Sequence, residues 1–184
     1  TIKDVPVVGG KNASLGEMYK NLANQGIKVP NGFATTAAAY NYLLEQTNLK
    51  QDIKKILAGL NTHDVTDLAK RGAAVRKLIV ATEFPEDLKQ AILESYEKLS
   101  QFYKIKNLHV AVRSSATAED LPDASFAGQQ ETFLNVTGET ELLLAVKKCI
   151  ASLFTNRAIS YRVDKGFDHF KIALSVGVQK MIRA

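Results

Sequence analysis

The apolar residues of this chain change period once, abruptly, and that change limits what it can fold into. From about residue 50 to 104 they recur at helical spacing: Ile53, Ile56, Leu57 and Leu60, then Leu68, Val75, Leu78 and Ile79, then Leu88, Ile92, Leu93, Tyr96 and Leu99. At Leu108-His109-Val110-Ala111-Val112-Arg113 the period becomes two and β-branched residues enter, as in a strand. Three packed helices are therefore expected before a sheet, with Asp64 and Pro85-Glu86 marking two of the helix starts. The fold class is α+β, with a helical insert at about 50–104.

On the N-terminal side, Val5-Pro6-Val7-Val8-Gly9-Gly10-Lys11-Asn12 reads as a short apolar stretch ending in a glycine turn. A helix over about 13–25 follows, with Leu15, Met18, Tyr19 and Leu22 at helical spacing, Ser14 and Glu17 in the form of a capping box, and Gly26 as the terminating residue. Val29 to Ala34 reads as a turn and short strand, after which Thr35 or Thr36 can cap a helix burying Ala39, Tyr40, Leu43 and Leu44. Beyond Arg113, residues 114–130 form a long connection of small and polar residues, and such loops are uncommon unless they are used. A strand over Glu131 to Val136, helices at about 139–154 and 156–164, and a final strand over Ile172 to Ile182 complete the chain. That strand stops in mid-pattern at Ala184 and the first residue is not Met, which suggests a piece of a longer protein.

Composition narrows the classes of function. The chain has 184 residues, 46% of them hydrophobic and 23% charged, enough for one domain with a sizeable core. No apolar run approaches the roughly 20 residues of a membrane helix, so no membrane partner is expected. The net charge is +5, but the basic residues are spread: residues 1–60 hold 7 basic and 4 acidic side chains, 61–120 hold 9 and 9, and 121–184 hold 8 and 6. No nucleic-acid stripe follows from that distribution, whereas a small phosphorylated ligand needs only two or three placed cations. One cysteine, Cys149, and no secretory leader pattern point to a cytoplasmic location.

Several residues carry candidate chemistry. Gly9-Gly10-Lys11 at the start of a helix offers backbone amides, the positive end of a helix dipole and a full charge to a phosphate, although it lacks the Walker A spacing and equally describes a glycine turn with a surface lysine. Arg113, at the end of an apolar strand and followed by Ser114 and Ser115, can present a planar fork to phosphate oxygens, or pair with Glu119 or Asp120. The segment Ser125-Phe126-Ala127-Gly128-Gln129 can close over a polyphosphate or be a plain surface loop. Glu119, Asp120 and Asp123 offer oxygens to magnesium or are simply solvated. His63, His109 and His169 have no metal-ligand spacing and are assigned to structure or surface, and Cys149 lacks the neighbouring cation a nucleophile needs.

Three blocks carry a resemblance: Val8-Gly9-Gly10-Lys11-Asn12-Ala13-Ser14-Leu15-Gly16-Glu17-Met18, Val29-Pro30-Asn31-Gly32-Phe33-Ala34-Thr35-Thr36, and Ala111-Val112-Arg113-Ser114-Ser115-Ala116-Thr117-Ala118-Glu119-Asp120. Together with Leu121 to Thr132 and Ser152 to Arg162, they resemble the N-terminal nucleotide-binding domain of the phosphoenolpyruvate synthase and pyruvate phosphate dikinase family. The resemblance implies an ATP-grasp-type N-terminal lobe with a mixed or antiparallel sheet. It also implies ATP and Mg2+ as cofactors, and a full-length phosphotransferase in which ATP phosphorylates a histidine on a swivelling domain that passes the group to pyruvate. Lys11 and Arg113 match the family's phosphate-holding cations, with Ser114 beside them. Gly128 falls in its phosphate-covering loop, and Gln179, Met181 and Ile182 fall in its adenine-edge segment. No catalytic residue and no metal ligand of the family falls on 1–184. The magnesium carboxylates are expected downstream in a second lobe, along with the phosphohistidine domain and the pyruvate barrel, so this piece alone is expected to bind ATP weakly and turn nothing over.

The resemblance also implies ATP, pyruvate and the phosphohistidine domain as partners, with a homodimer as one assembly. A related dikinase with another acceptor, such as rifampicin or glucan, and a non-catalytic nucleotide-binding module are the alternatives.

Overall fold

The computed structural model describes residues 1–117 and 131–182, together with the backbone of 120–121 and 124–125. Seven α-helices lie among these residues: α1 Val5–Leu22, α2 Ala37–Gln46, α3 Leu49–Leu57, α4 Val65–Ala81, α5 Glu86–Tyr103, α6 Glu139–Ala151 and α7 Asn156–Asp164. The strands are β1 Gly32–Ala34, β2 Val110–Ala116, β3 Asp120–Leu121, β4 Ala124–Ser125, β5 Thr132–Val136 and β6 Leu174–Lys180. Four of them form one sheet in the order β1-β6-β2-β5, antiparallel throughout, and β3 pairs with β4 in a separate short ribbon. The α+β class and the three helices between about residues 50 and 104 are as the sequence led one to expect.

Strand alternation divides the sheet into two unlike faces. On β2 and β6 the residues Val110, Val112, Ser114 and Ala116, with Leu174, Val176 and Val178, point to one side and are buried. They meet α3 to α7 in a single apolar core that includes Ile53, Val75, Ile79, Ile92, Leu142, Val146 and Ile159. Each such side chain, fully removed from water, contributes about 1.5–3 kcal/mol. The opposite side carries Ala111, Arg113 and Ser115 of β2 and Ser175, Gly177 and Gln179 of β6, and α1 crosses it.

Helix α1 departs from the expected 13–25. Val5 to Val8 is already helical, since Pro6 lies in the first turn, where its missing N–H costs nothing. The backbone then breaks at Gly9, with φ 73° and ψ 163°, and a second helical segment starts at Gly10. Ser14 lies inside that segment and is not a cap. Glu17 instead accepts the Ile2 amide at 3.2 Å and Asn21 Nδ2 at 2.8 Å. Gly26, at φ 80°, does close the following 3-10 turn. Only Gly9 and Ala13 of α1 are buried, because its apolar stripe of Leu15 and Tyr19 faces a cleft and not the core.

One other boundary moved, and one choice between two caps was settled. Arg113 does not end its strand but sits in the middle of β2, which continues through Ser114 and Ser115 to Ala116 because β6 pairs with it over seven consecutive residues. Thr36 is the cap of α2, its side chain accepting the Ala39 amide at 3.1 Å, while Thr35 bonds to Val176 in both directions, amide to carbonyl and amide to hydroxyl.

Candidate functional site

Arg113 lies opposite Gly177 of β6 and Thr132 of β5, on the sheet face that α1 covers. Between α1 and the sheet is a cavity of about 350 Å³, lined by Asn12, Leu15 and Tyr19 of α1, by Gly32 of β1, and by Arg113 and Gln179. A second cavity of about 890 Å³ adjoins it and shares Tyr19 and Pro30. Its walls include Ile27, Phe102, His109, Lys180, Met181 and Ile182. They lie side by side along β6 and its exit, with Gly177 in the wall of the first and Lys180 and Met181 in the wall of the second.

At the far end the strand-loop junction is tightly tied. Lys180 donates its amide to Asn31 O at 3.0 Å and Met181 donates its own to His109 O at 2.9 Å. Gln179 Nε2 donates to Pro30 O at 3.1 Å, and the Asn31 amide donates to the Tyr103 hydroxyl at 2.7 Å. Lys180 Nζ stands 4.1 Å from the centre of the Tyr103 ring, a cation–π contact. These bonds fix the wall that Met181 and Ile182 present to the cleft.

Lys11 belongs to the first turn of the second α1 segment, next to Asn12, whose amide faces Ser115 Oγ at 3.5 Å. Ser115 is two residues from Arg113 on the same strand face, about 7 Å along it. The turn that carries Lys11 thus stands over the strand that carries Arg113. The Lys11 side chain is exposed and is not among the residues lining either cavity.

Not every expected site residue shares this face. Ser114 alternates to the other side, is 1% exposed, and bonds Glu131 O through its amide at 3.3 Å and its hydroxyl at 3.4 Å. Its side chain is not in the cleft with Arg113. Gly128 lies outside the described residues, as do Glu119, Asp123, Phe126, Ala127 and Gln129, and Asp120 is described as backbone only. Among the described residues no three His, Cys, Asp or Glu side chains gather as a cation's ligands. Cys149 is fully buried and burial pushes its thiol up to about 12, which leaves it a packing group.

Residues that the sequence reading passed over also shape the site. Asn12 Nδ2 donates to Ser175 Oγ at 2.9 Å, and Ser175 Oγ donates to Thr35 O at 2.5 Å. A side chain at Gly177 would collide with the Asn12 carboxamide, and one at Gly9 would collide with Ser115 and the Ala116 carbonyl. The signal for this contact was present: a lone glycine inside an apolar strand, as at Gly177, marks a close approach by something else.

Comparison with known proteins gives the following. The family model for the pyruvate phosphate dikinase AMP/ATP-binding domain matches residues 5–184. The chain is 60% identical over 184 residues to the phosphoenolpyruvate synthase of Aquifex aeolicus (strain VF5), covering all of this chain and 22% of that protein. It is 59% identical over 182 residues to the phosphoenolpyruvate synthase of Helicobacter pylori (strain ATCC 700392 / 26695), 99% of this chain and 22% of the relative. It is 57% identical over 183 residues to that of Escherichia coli (strain K12), 100% of this chain and 23% of the relative. The chain therefore spans less than a quarter of the length of these curated relatives.

Proposed function

The chain belongs to the pyruvate phosphate dikinase AMP/ATP-binding domain family, and from that premise we propose that it is the ATP-holding part of a phosphoenolpyruvate synthase. In the complete protein ATP phosphorylates a histidine on a swivelling domain, and that histidine passes the group to pyruvate, with AMP and phosphate as the other products. Residues 1–184 form the incomplete N-terminal lobe of an ATP-grasp domain, into which the helices at about 50–104 are inserted. The observation that carries this reading is the pair of neighbouring cavities, with Arg113 in the wall of one and Met181 and Ile182 in the wall of the other.

The roles are those the family resemblance implies, and charge supports the part given to the two cations. Phosphoryl transfer demands positioning and neutralisation of charge more than covalent help from the protein. Arg113 offers a planar fork to phosphate oxygens, while Lys11 and the amides at the start of the second α1 segment add positive potential from above. Ser114, next to Arg113 on β2, is bonded to Glu131 O, and the resemblance assigns Gly128 to the phosphate-covering loop. The purine lies against Gln179, Met181 and Ile182. The Lys180 and Met181 amides are taken by Asn31 O and His109 O, so neither of these two amides reads its edge.

Magnesium fits these residues poorly. A hard cation takes several oxygen ligands, and the described residues gather no such set. On this reading its carboxylates belong to the second lobe, outside residues 1–184. The reading is tested with full-length protein: incubation with ATP should yield an acid-labile phosphohistidine, and adding pyruvate should discharge it as phosphoenolpyruvate. A full-length protein that hydrolyses or binds ATP without forming phosphohistidine would overturn it.

A further inference from the structure

We propose that Asn12 is a positioning residue that sets where Lys11 stands relative to Arg113. The inference rests on the reading that both cations hold the phosphates of one nucleotide.

Three contacts seat the turn that carries Lys11 onto the sheet. Gly9, in a left-handed conformation, presses directly on Ser115 and the Ala116 carbonyl of β2, where no side chain would fit. The Asn12 carboxamide lies in the space above Gly177 of β6, where again no side chain would fit. Asn12 Nδ2 donates to Ser175 Oγ at 2.9 Å, and that hydroxyl donates onward to Thr35 O. The turn is thus keyed to both central strands at once.

Gly177 is the register partner of Arg113. Asn12 therefore rests on the residue directly across the ladder from the arginine, and Lys11 is its neighbour in sequence. The carboxamide acts as a spacer whose thickness fixes the height of α1 over Arg113. The cavity between them, with Leu15 and Tyr19 above and Arg113 and Gln179 below, stays open because α1 is held at this height and not packed down. Asn12 need not touch the nucleotide for this, since small errors in the placement of charged groups are enough to weaken a preorganised site.

A double-mutant cycle on the full-length protein tests the idea, with ATP affinity measured by calorimetry and fold integrity by thermal melting. Asn12→Ala should weaken ATP about tenfold in the wild-type background and hardly at all in Lys11→Ala, as expected for two residues acting through one contact. Ser175→Ala reads the same hydrogen bond from its other end and serves if Asn12→Ala does not fold. It should give a smaller loss with the same dependence on Lys11. Equal losses in both backgrounds would show that Asn12 only supports the fold, and would overturn the inference while leaving the phosphate role of Lys11 intact. So would undiminished affinity in Asn12→Ala. If Lys11→Ala itself binds ATP as wild type does, the phosphate reading fails and the inference fails with it.

Discussion

Arg162 Nε donates to Nδ1 of His169 at 2.9 Å, so the imidazole serves as a neutral acceptor beside a buried cation. Arg162 is 1% exposed, its Nη2 donates to Leu153 O at 2.6 Å, and its guanidinium lies 5.2 Å from the centre of the Phe154 ring. The cation is held by a ring nitrogen, a carbonyl and an aromatic face, and burial lowers its pKa to about 10, still charged at neutral pH.

That pairing makes the fold sensitive to acid. Burial, and then the Arg162 charge, lower His169 from 6.5 to about 4, with Asp168 opposing weakly. The unfolded chain binds this proton at pH values where the folded chain does not, so the stabilisation is complete above about pH 6.5 and is lost as pH falls towards 4. Discounted for the partial exposure of the ring, the loss is about 2 kcal/mol. Denaturant melts between pH 7 and 4 should show it in the wild type and not in His169→Gln.

Tyr40 offers a contrary case. Its hydroxyl is buried without a hydrogen-bond partner among the described residues, and burial raises its pKa. Removing an unsatisfied buried hydroxyl while keeping the ring should be neutral or stabilising by about 1 kcal/mol. Tyr40→Phe is expected to melt at or above the wild-type temperature, and a clear drop would mean that the hydroxyl has a partner in solution.

Cys149 should be silent towards thiol reagents in the native protein. It is fully buried on α6, and burial holds its thiol at about 12, far from the thiolate that reacts. Labelling should appear only with global unfolding and follow the denaturation curve. Fast labelling in native buffer would show that α6 opens locally.

Gly177→Ala should cost both stability and nucleotide affinity, because a methyl group there meets the Asn12 carboxamide and must lift α1. Overpacking of this kind costs about 1–3 kcal/mol. Chemical denaturation gives the first effect and ATP titration the second, and a variant that loses neither would show that α1 rides freely over the sheet.

Much of this was legible in the sequence, for identifiable reasons. Helices α3 to α5 announce themselves because their apolar periodicity is dictated by a shared core, and Asp64 caps α4 by accepting the Thr66 and Asp67 amides as its residue type suggests. The start of α1 was not legible: Val5 to Val8 carry no core-facing pattern, and the break at Gly9 is imposed by β2, more than a hundred residues away. Arg113 could be picked out, but its place in mid-strand depends on pairing with β6, which no local signal specifies. The face of Ser114 follows from alternation alone once that strand is extended. Asn12 was hidden within a glycine-lysine turn, because its role exists only where α1, β2 and β6 meet.

The most direct measurement compares ATP and adenosine binding to the full-length protein and to its Lys11→Ala and Arg113→Ala variants. If both cations hold the phosphates, each variant should lose about tenfold or more in ATP affinity, in the range for charged hydrogen bonds, while adenosine binding stays unchanged. ATP binding at wild-type strength in both variants would contradict a shared phosphate site, and so would adenosine affinity falling in step with that of ATP.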